Sequence, residues 1–310
     1  MTKSPLSAPW GGEGQGEVGE PSAETRPAPS SIDVPPARSC YTRHNQRGAS
    51  MRWARFEQNG TPSYGVVEGD QIIVVRGSPF ASWERTATRV PFDSVKLLPP
   101  VIPPTFYACG MNYQEHVREM SAKIGREPDL PKQPDIGYRA NNALIAHGEP
   151  IVIPKDATEL VQYEGELVAV IGRTCKHLTR EDALTAVMGW TIGNDVSERS
   201  WQKSDRTLWR AKNTDTFKPM GPWIETDVKL EDLVTKVRLN GEQLIAFPTN
   251  HMIFGVVDFL VAMTRYLTLY PGDMVWMGTE GATANMKHGD VCEIEITGIG
   301  TLRNPVVRES

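Results

Sequence analysis

The chain has 310 residues, a hydrophobic fraction of 39%, a charged fraction of 23% and a net charge of −5. That length allows one large domain or two modest ones, with a substantial core. The acidic balance argues against a nucleic-acid partner, and no apolar run reaches the roughly 18 residues of a membrane span. Cys40, Cys109, Cys175 and Cys292 are scattered without a Cys-x-x-Cys pair, which argues against a zinc ribbon or disulfide scaffold and fits a reducing cytoplasm.

Residues 1–50 are rich in Pro, Gly, Ser and Glu, and such a segment buries too little apolar surface to offset its ordering entropy. A disordered tail is expected, with the folded part starting at Met51. Within it, Gly14-Gln15-Gly16-Glu17-Val18-Gly19 matches a dinucleotide-loop pattern, but lacks the strand before it and the helix after it that such a loop needs.

Residues 51–98 read as a small β module. Asn59-Gly60 and Gly69-Asp70 are turn signals between short β-rich runs. Leu98-Pro99-Pro100 and Pro103-Pro104 then predict a stiff linker to a larger domain over 99–310. There, Gln114 to Ala122 predicts a short helix. Thr179 followed by Glu181 and Asp182 predicts a capped helix over 180–188. Asn240-Gly241 predicts a hairpin, and the apolar spacing of Ile253 to Leu267 predicts another helix. The expected fold is β-dominated α+β.

Glu164 and Glu166 open the apolar run that continues through Leu167 to Ile171. Two carboxylates two residues apart share one face of a strand, and a buried charge needs a partner or a metal. With Asp195, at the end of another apolar stretch, they make an oxygen-rich candidate site for Mg²⁺ or Mn²⁺. His116 and Glu119, three apart on a helix, suit a general base and its orienter. Lys212, among turn and apolar residues, suits charge stabilisation of an anion. Arg199 and Gln202 suit a carboxylate, and Gly278-Thr279-Glu280-Gly281 is a strand-end loop with exposed N–H groups. Taken singly, each pattern also fits an ordinary solvated surface.

In this order and together, the segments resemble the fumarylacetoacetate hydrolase family. The resemblance rests on Asn112-Tyr113 with His116 and Glu119, on Glu164 and Glu166, on Asp195 with Ser197, Arg199 and Gln202, on Lys212, and on Gly278-Thr279. It implies mixed β-sheets in a rolled, barrel-like catalytic core, and a homodimer. It implies Glu164, Glu166 and Asp195 as metal ligands, His116 steered by Glu119 as water activator, and Lys212 as enolate stabiliser. Tyr113, Arg199, Gln202 and Thr279 would contact a small keto-acid substrate. The implied activity is C–C bond hydrolysis of an acylpyruvate or β-diketo acid, as in aromatic catabolism. Decarboxylation, isomerisation or hydration of a related 2-oxo acid is the alternative, and a non-catalytic cation-binding module is the rival of a different class. The chain departs from the family pattern at Glu280, where proline is usual, at Ala282-Thr283, and at Arg139-Ala140, where Lys-Pro is common. Glu280 places another anion near the pocket.

Overall fold

Asn59 and Gly60 both take positive φ, 51° and 75°, as a type I′ turn demands. They join the strands Arg52–Gln58 and Thr61–Glu68, with Gln58 opposite Thr61. Gln71–Gly77 and Trp83–Pro91 extend this antiparallel meander. The computed structural model describes residues 50–310 except Ile124 and the side chains of Met120 and Lys123. The expected tail, with its Gly14 to Gly19 motif, lies outside the described residues.

The meander does not end at its own edge. Arg52 pairs with Glu225 and Trp53 with Ile224, across to the strand Lys218–Glu225. The 51–98 module is thus one wing of a twelve-stranded sheet. The proline-rich connection is packed as well. Leu97 and Leu98 pair with Phe56 and Arg55, and Val101 is buried.

From Lys218–Glu225 the sheet continues through Val187–Asn194, Gly165–Ile171, Met274–Trp276, Phe106–Cys109 and Ile136–Tyr138. Gly165–Ile171 is buried along its whole length. Leu167, Ala169 and Ile171 enter one apolar cluster, whereas Val168 and Val170 enter another. A strand covered on both faces reads as an unbroken apolar run, which is why Glu164 and Glu166 stand out at its start. Gly193 leaves room for the Trp276 ring of the same sheet, because a Cβ there would lie 2.4 Å from it. A second sheet of five strands runs Glu242–Pro248, Val234–Leu239, Val291–Ile296, Gly300–Arg308, Ile151–Ile153. Asn240 and Gly241, at φ 54° and 83°, form its predicted hairpin. The fold is β-dominated with mixed sheets, as expected, and no described sheet closes on itself.

The helices Gln114–Lys123 and Val256–Tyr266 fall where the sequence places them. The second begins where Asp258 accepts from the Gly255 N–H at 2.9 Å. The helix expected over 180–188 is instead a 3₁₀ turn, Ala183–Ala186, followed directly by a strand. Asp182 does accept from the Thr179 N–H at 2.7 Å. The turn stops because Val187 already lies opposite Ile171 in the sheet, so sheet pairing overrides local propensity. Among the described residues no helix is long and apolar enough to cross a membrane.

Candidate metal centre and active site

Three chain segments meet at the ends of adjacent strands. Glu164 sits immediately before the strand Gly165–Ile171 and Glu166 within it. Asp195 follows the strand Val187–Asn194. The backbone locks the pair: the Asp195 N–H donates to the Glu164 carbonyl at 2.9 Å, and the Glu164 N–H donates to Asn194 Oδ1 at 2.9 Å. One oxygen from each of Glu164, Glu166 and Asp195 lies within 4.8 Å of the others. Their exposures are 3%, 2% and 1%, so this is a dry cluster of hard oxygen donors.

Buried carboxylates repel one another unless countercharged. Lys212, on the short helix Trp209–Asn213, donates to Glu164 Oε2 and to Asp195 Oδ2, the latter at 2.7 Å. Arg199 Nη2 reaches Glu164 Oε1 at 2.6 Å. Arg139 clasps Asp195 twice, and Lys218 Nζ lies 2.8 Å from Asp195 Oδ1. Lys218 is wholly buried and also donates to the Val196 and Phe217 carbonyls. Burial alone raises the Asp195 carboxyl, but Arg139, Lys212 and Lys218 together hold it well below the usual carboxylate range. Burial likewise raises Glu164, and Arg199 and Lys212 outweigh it. Burial lowers the Lys218 ammonium to about 8.

Glu166 differs. Its hydrogen bond is from the Gly278 N–H at 2.8 Å, and no Lys or Arg among the described residues forms an ion pair with it. Burial, with the charges of Asp195 and Glu164, pushes its carboxyl up to about 8. Lys212 offsets this only in part, and a buried carboxylate with no direct ion pair, beside two more carboxylates, fits a hard divalent ion.

The loop after Met274–Trp276 links this cluster to the helix Gln114–Lys123. Gly278 takes φ +85°, which lets its N–H point at Glu166, and a Cβ there would meet Cys109 Sγ at 3.1 Å. Thr279 is buried and its hydroxyl accepts from the Gly281 N–H. A Cβ on Gly281 would lie 2.9 Å from His116 Nδ1 and 3.8 Å from Glu119 Oε2. The loop that carries Thr279 therefore lies against Glu166 at one end and against His116 and Glu119 at the other, and the charge of His116 helps to lower the Glu164 carboxyl. A groove of about 460 Å³ opens beside this loop, along Gly110 to Asn112 and residues 129–133.

The expected substrate contacts divide. Tyr113 is fully buried and its hydroxyl donates to the Thr249 carbonyl at 2.6 Å. Its ring packs edge-on against Phe247 at 5.3 Å. It belongs to the core, because the residue after Asn112 forms a β-bridge with Met252 and faces inward. Arg199 does not reach outward either. Besides Glu164 it holds Gln162 Oε1 at 2.8 Å and Gln202 Oε1 at 3.0 Å, so Gln202 supports Arg199. The residues that pattern reasoning passes over are Lys218 and Asn194. Lys218 opens an apolar run, the same signal that picks out Glu164 and Glu166. Arg139 stands out in the sequence only as a departure from Lys-Pro.

Comparison with known proteins agrees with this geometry. Residues 105–307 match the sequence model described as fumarylacetoacetate (FAA) hydrolase C-terminal, and residues 51–100 match one described as Rv2993c-like, N-terminal. The chain is 39% identical over 234 residues to protein Rv2993c of Mycobacterium tuberculosis, covering 74% of this chain and 86% of that one. It is 34% identical over 281 residues to 2,4-didehydro-3-deoxy-L-rhamnonate hydrolase of Sphingomonas sp. strain SKA58, covering 83% and 96%. A solved structure, 2-hydroxyhepta-2,4-diene-1,7-dioate isomerase from Mycobacterium marinum, superposes with a TM-score of 0.75 at 35% identity, covering 84% and 99%. The chain belongs to the fumarylacetoacetate hydrolase family.

Proposed function

We propose that this member of the fumarylacetoacetate hydrolase family is a divalent-metal-dependent enzyme that hydrolyses a C–C bond in an acylpyruvate or related β-diketo acid. One observation carries the reading. A single loop receives the Glu166 carboxylate at Gly278 and packs against His116 at Gly281, so an oxygen-ligand cluster and an imidazole flank the same turn. Mg²⁺ or Mn²⁺ held by Glu164, Glu166 and Asp195 would supply Lewis-acid chelation of the 2-oxo acid.

The chain's own groups handle charge and protons. His116 takes a proton from water, whose oxygen adds to the acyl carbonyl carbon. The bond from that carbon to the adjacent methylene breaks, and its electron pair stays on the methylene as an enolate. Lys212, inside the cluster, shares that negative charge. Reprotonation of the methylene gives pyruvate, and the acyl half leaves as a carboxylic acid. Glu119, one helical turn from His116, favours the imidazolium that forms. Arg139, Lys218 and Arg199 hold the carboxylates in place.

Two rival readings have support. The likeness to an isomerase favours proton transfer on a related 2-oxo acid with no water consumed, and decarboxylation or hydration would use the same head group. A non-catalytic module whose carboxylates are filled from within the chain is the second rival, and the pairing of Asp195 with Arg139, Lys212 and Lys218 supports it. A cytoplasmic homodimer acting in aromatic catabolism belongs to our proposal.

The test is product analysis after incubating metal-loaded protein with acylpyruvates, fumarylpyruvate and oxaloacetate. Hydrolysis yields pyruvate and a carboxylic acid in equal amounts. Keto–enol exchange without fragments selects the isomerase, and no conversion of any substrate selects the binding module.

A further inference from the structure

The loop that joins the two halves of the site carries a carboxylate that the chemistry above does not use. Glu280 stands between the buried Thr279 and Gly281, where a Cβ would lie 2.9 Å from His116 Nδ1. Across from it, the helix Gln114–Lys123 presents Glu115 and Glu119, and Glu119 Oε2 comes within 3.8 Å of the Gly281 Cβ position. Partial burial, then Glu115, raises the Glu280 carboxyl; His251 partly offsets this, and Glu119 adds to it. Arg118 is paired with Glu115.

The opposite end of the site has the reverse polarity. Around the metal-ligand carboxylates stand Arg139, Arg199, Lys212 and Lys218. The groove beside the loop continues the rim's character. Gly278 abuts its wall, with a Cβ there 3.3 Å from Asn112 Cβ. Its lining includes Leu130, Phe254 and Phe259, and sets Asp129 and Asp135 against Lys132. Cations thus gather around the metal-ligand carboxylates, and acids gather around Glu280.

We infer that Glu280 selects substrates by the charge of the tail, admitting 2-oxo acids whose far end is uncharged or cationic and rejecting those that end in a second carboxylate. The inference rests on the function proposed above and narrows its substrate class. A terminal carboxylate beside Glu280 meets like charge in a partly desolvated setting, where repulsion is little screened. Discrimination of this kind is set by the repulsive element as much as by attraction.

The experiment uses two unreactive acids of equal length, 2-oxohexanoate and 2-oxoadipate, which differ in their terminal methyl and carboxylate. Pyruvate, which has the head without a tail, is the control. Binding to metal-loaded protein is measured by calorimetry. The expected result is that 2-oxohexanoate binds about tenfold tighter than 2-oxoadipate. Glu280→Gln should pull that ratio toward one, and Glu280→Asp should keep most of it. Equal or tighter binding of 2-oxoadipate by the wild type overturns the inference, as does a ratio unchanged in Glu280→Gln. If pyruvate itself fails to bind, the keto-acid function falls, and the inference with it.

Discussion

Arg139 grips Asp195 with two hydrogen bonds, Nε to Oδ1 at 3.1 Å and Nη2 to Oδ2 at 2.9 Å. Both side chains are almost wholly buried, so neither charge has water to fall back on. Such forked pairs owe their strength to the planar guanidinium. Arg139→Met should destabilise the protein by about 3 kcal/mol, the lower end for breaking a buried pair, because Lys212 and Lys218 still hold Asp195. Arg139→Lys should cost less and lose the second hydrogen bond. Urea unfolding of both variants checks this, and a wild-type midpoint for Arg139→Met would refute it.

The carboxylates should separate into two kinds under mutation. Glu166→Gln leaves no cation stranded and keeps an acceptor for the Gly278 N–H. Metal-free stability should stay within about 1 kcal/mol of wild type, while divalent-metal binding is lost. Asp195→Asn leaves Arg139 and Lys218 without their carboxylate and Lys212 with Glu164 alone, and should cost about 3–5 kcal/mol as well as the metal. Calorimetric Mg²⁺ or Mn²⁺ titration with chemical denaturation separates the two effects. Intact metal affinity in Glu166→Gln would remove it from the ligand set.

Much of this site is legible in the amino-acid sequence, and the reason is local. Glu164, Glu166 and Asp195 interrupt apolar runs, and a charge there must be used. Asn59-Gly60 and Asn240-Gly241 form turns because Asn and Gly tolerate positive φ whatever surrounds them. What escapes the sequence is non-local. The acceptors of Lys218 include Val196, far away along the chain. Arg199 faces inward because Glu164 and Gln162 meet it there. The segment 180–188 carries helix signals, yet its second half is claimed by pairing with Ile171. Tyr113 matches a substrate-contact pattern, and only the packing against Phe247 turns it into core.

Tyr113 offers a direct check of that reassignment. Tyr113→Phe removes the donor to the Thr249 carbonyl in a dry environment, which should cost about 1–3 kcal/mol. The KM for an acylpyruvate should not change. A rise in KM without loss of stability would return Tyr113 to the substrate.

Stability should also fall in mild acid through His147. Its Nδ1 accepts from the Arg303 N–H at 3.2 Å, so the hydrogen bond requires the neutral ring. Burial, then the Arg303 charge, lowers its pKa from the ordinary 6.5. A depressed folded-state pKa means that the unfolded chain binds the proton first. The contribution is therefore complete above pH 6.5 and is lost as pH falls through the folded value. Its size should be about 1 kcal/mol, that of one hydrogen bond. In His147→Gln the wild-type minus variant difference should shrink as pH drops from 7.5 to 5. A constant difference would show that the ring does not titrate on unfolding.

Gly281 and His116 give the sharpest test of the chemistry. Gly281 takes φ +124°, and a Cβ there would press on His116 Nδ1 at 2.9 Å. Gly281→Ala should therefore move the imidazole as well as strain the loop, at a cost of about 1–3 kcal/mol. If His116 activates water, His116→Ala should lower hydrolytic turnover by about 10²–10⁴-fold, the usual worth of a positioned general base, with metal affinity unchanged. Glu119→Gln should cost less, and its loss should not add to that of His116→Ala, because the pair acts as a unit. Gly281→Ala should reproduce part of the His116→Ala loss in kcat while still binding metal, and should add little in the double variant. Near-normal turnover in His116→Ala would end the water-activation mechanism. An isomerase or decarboxylase, needing no activated water, would then account better for the same carboxylates.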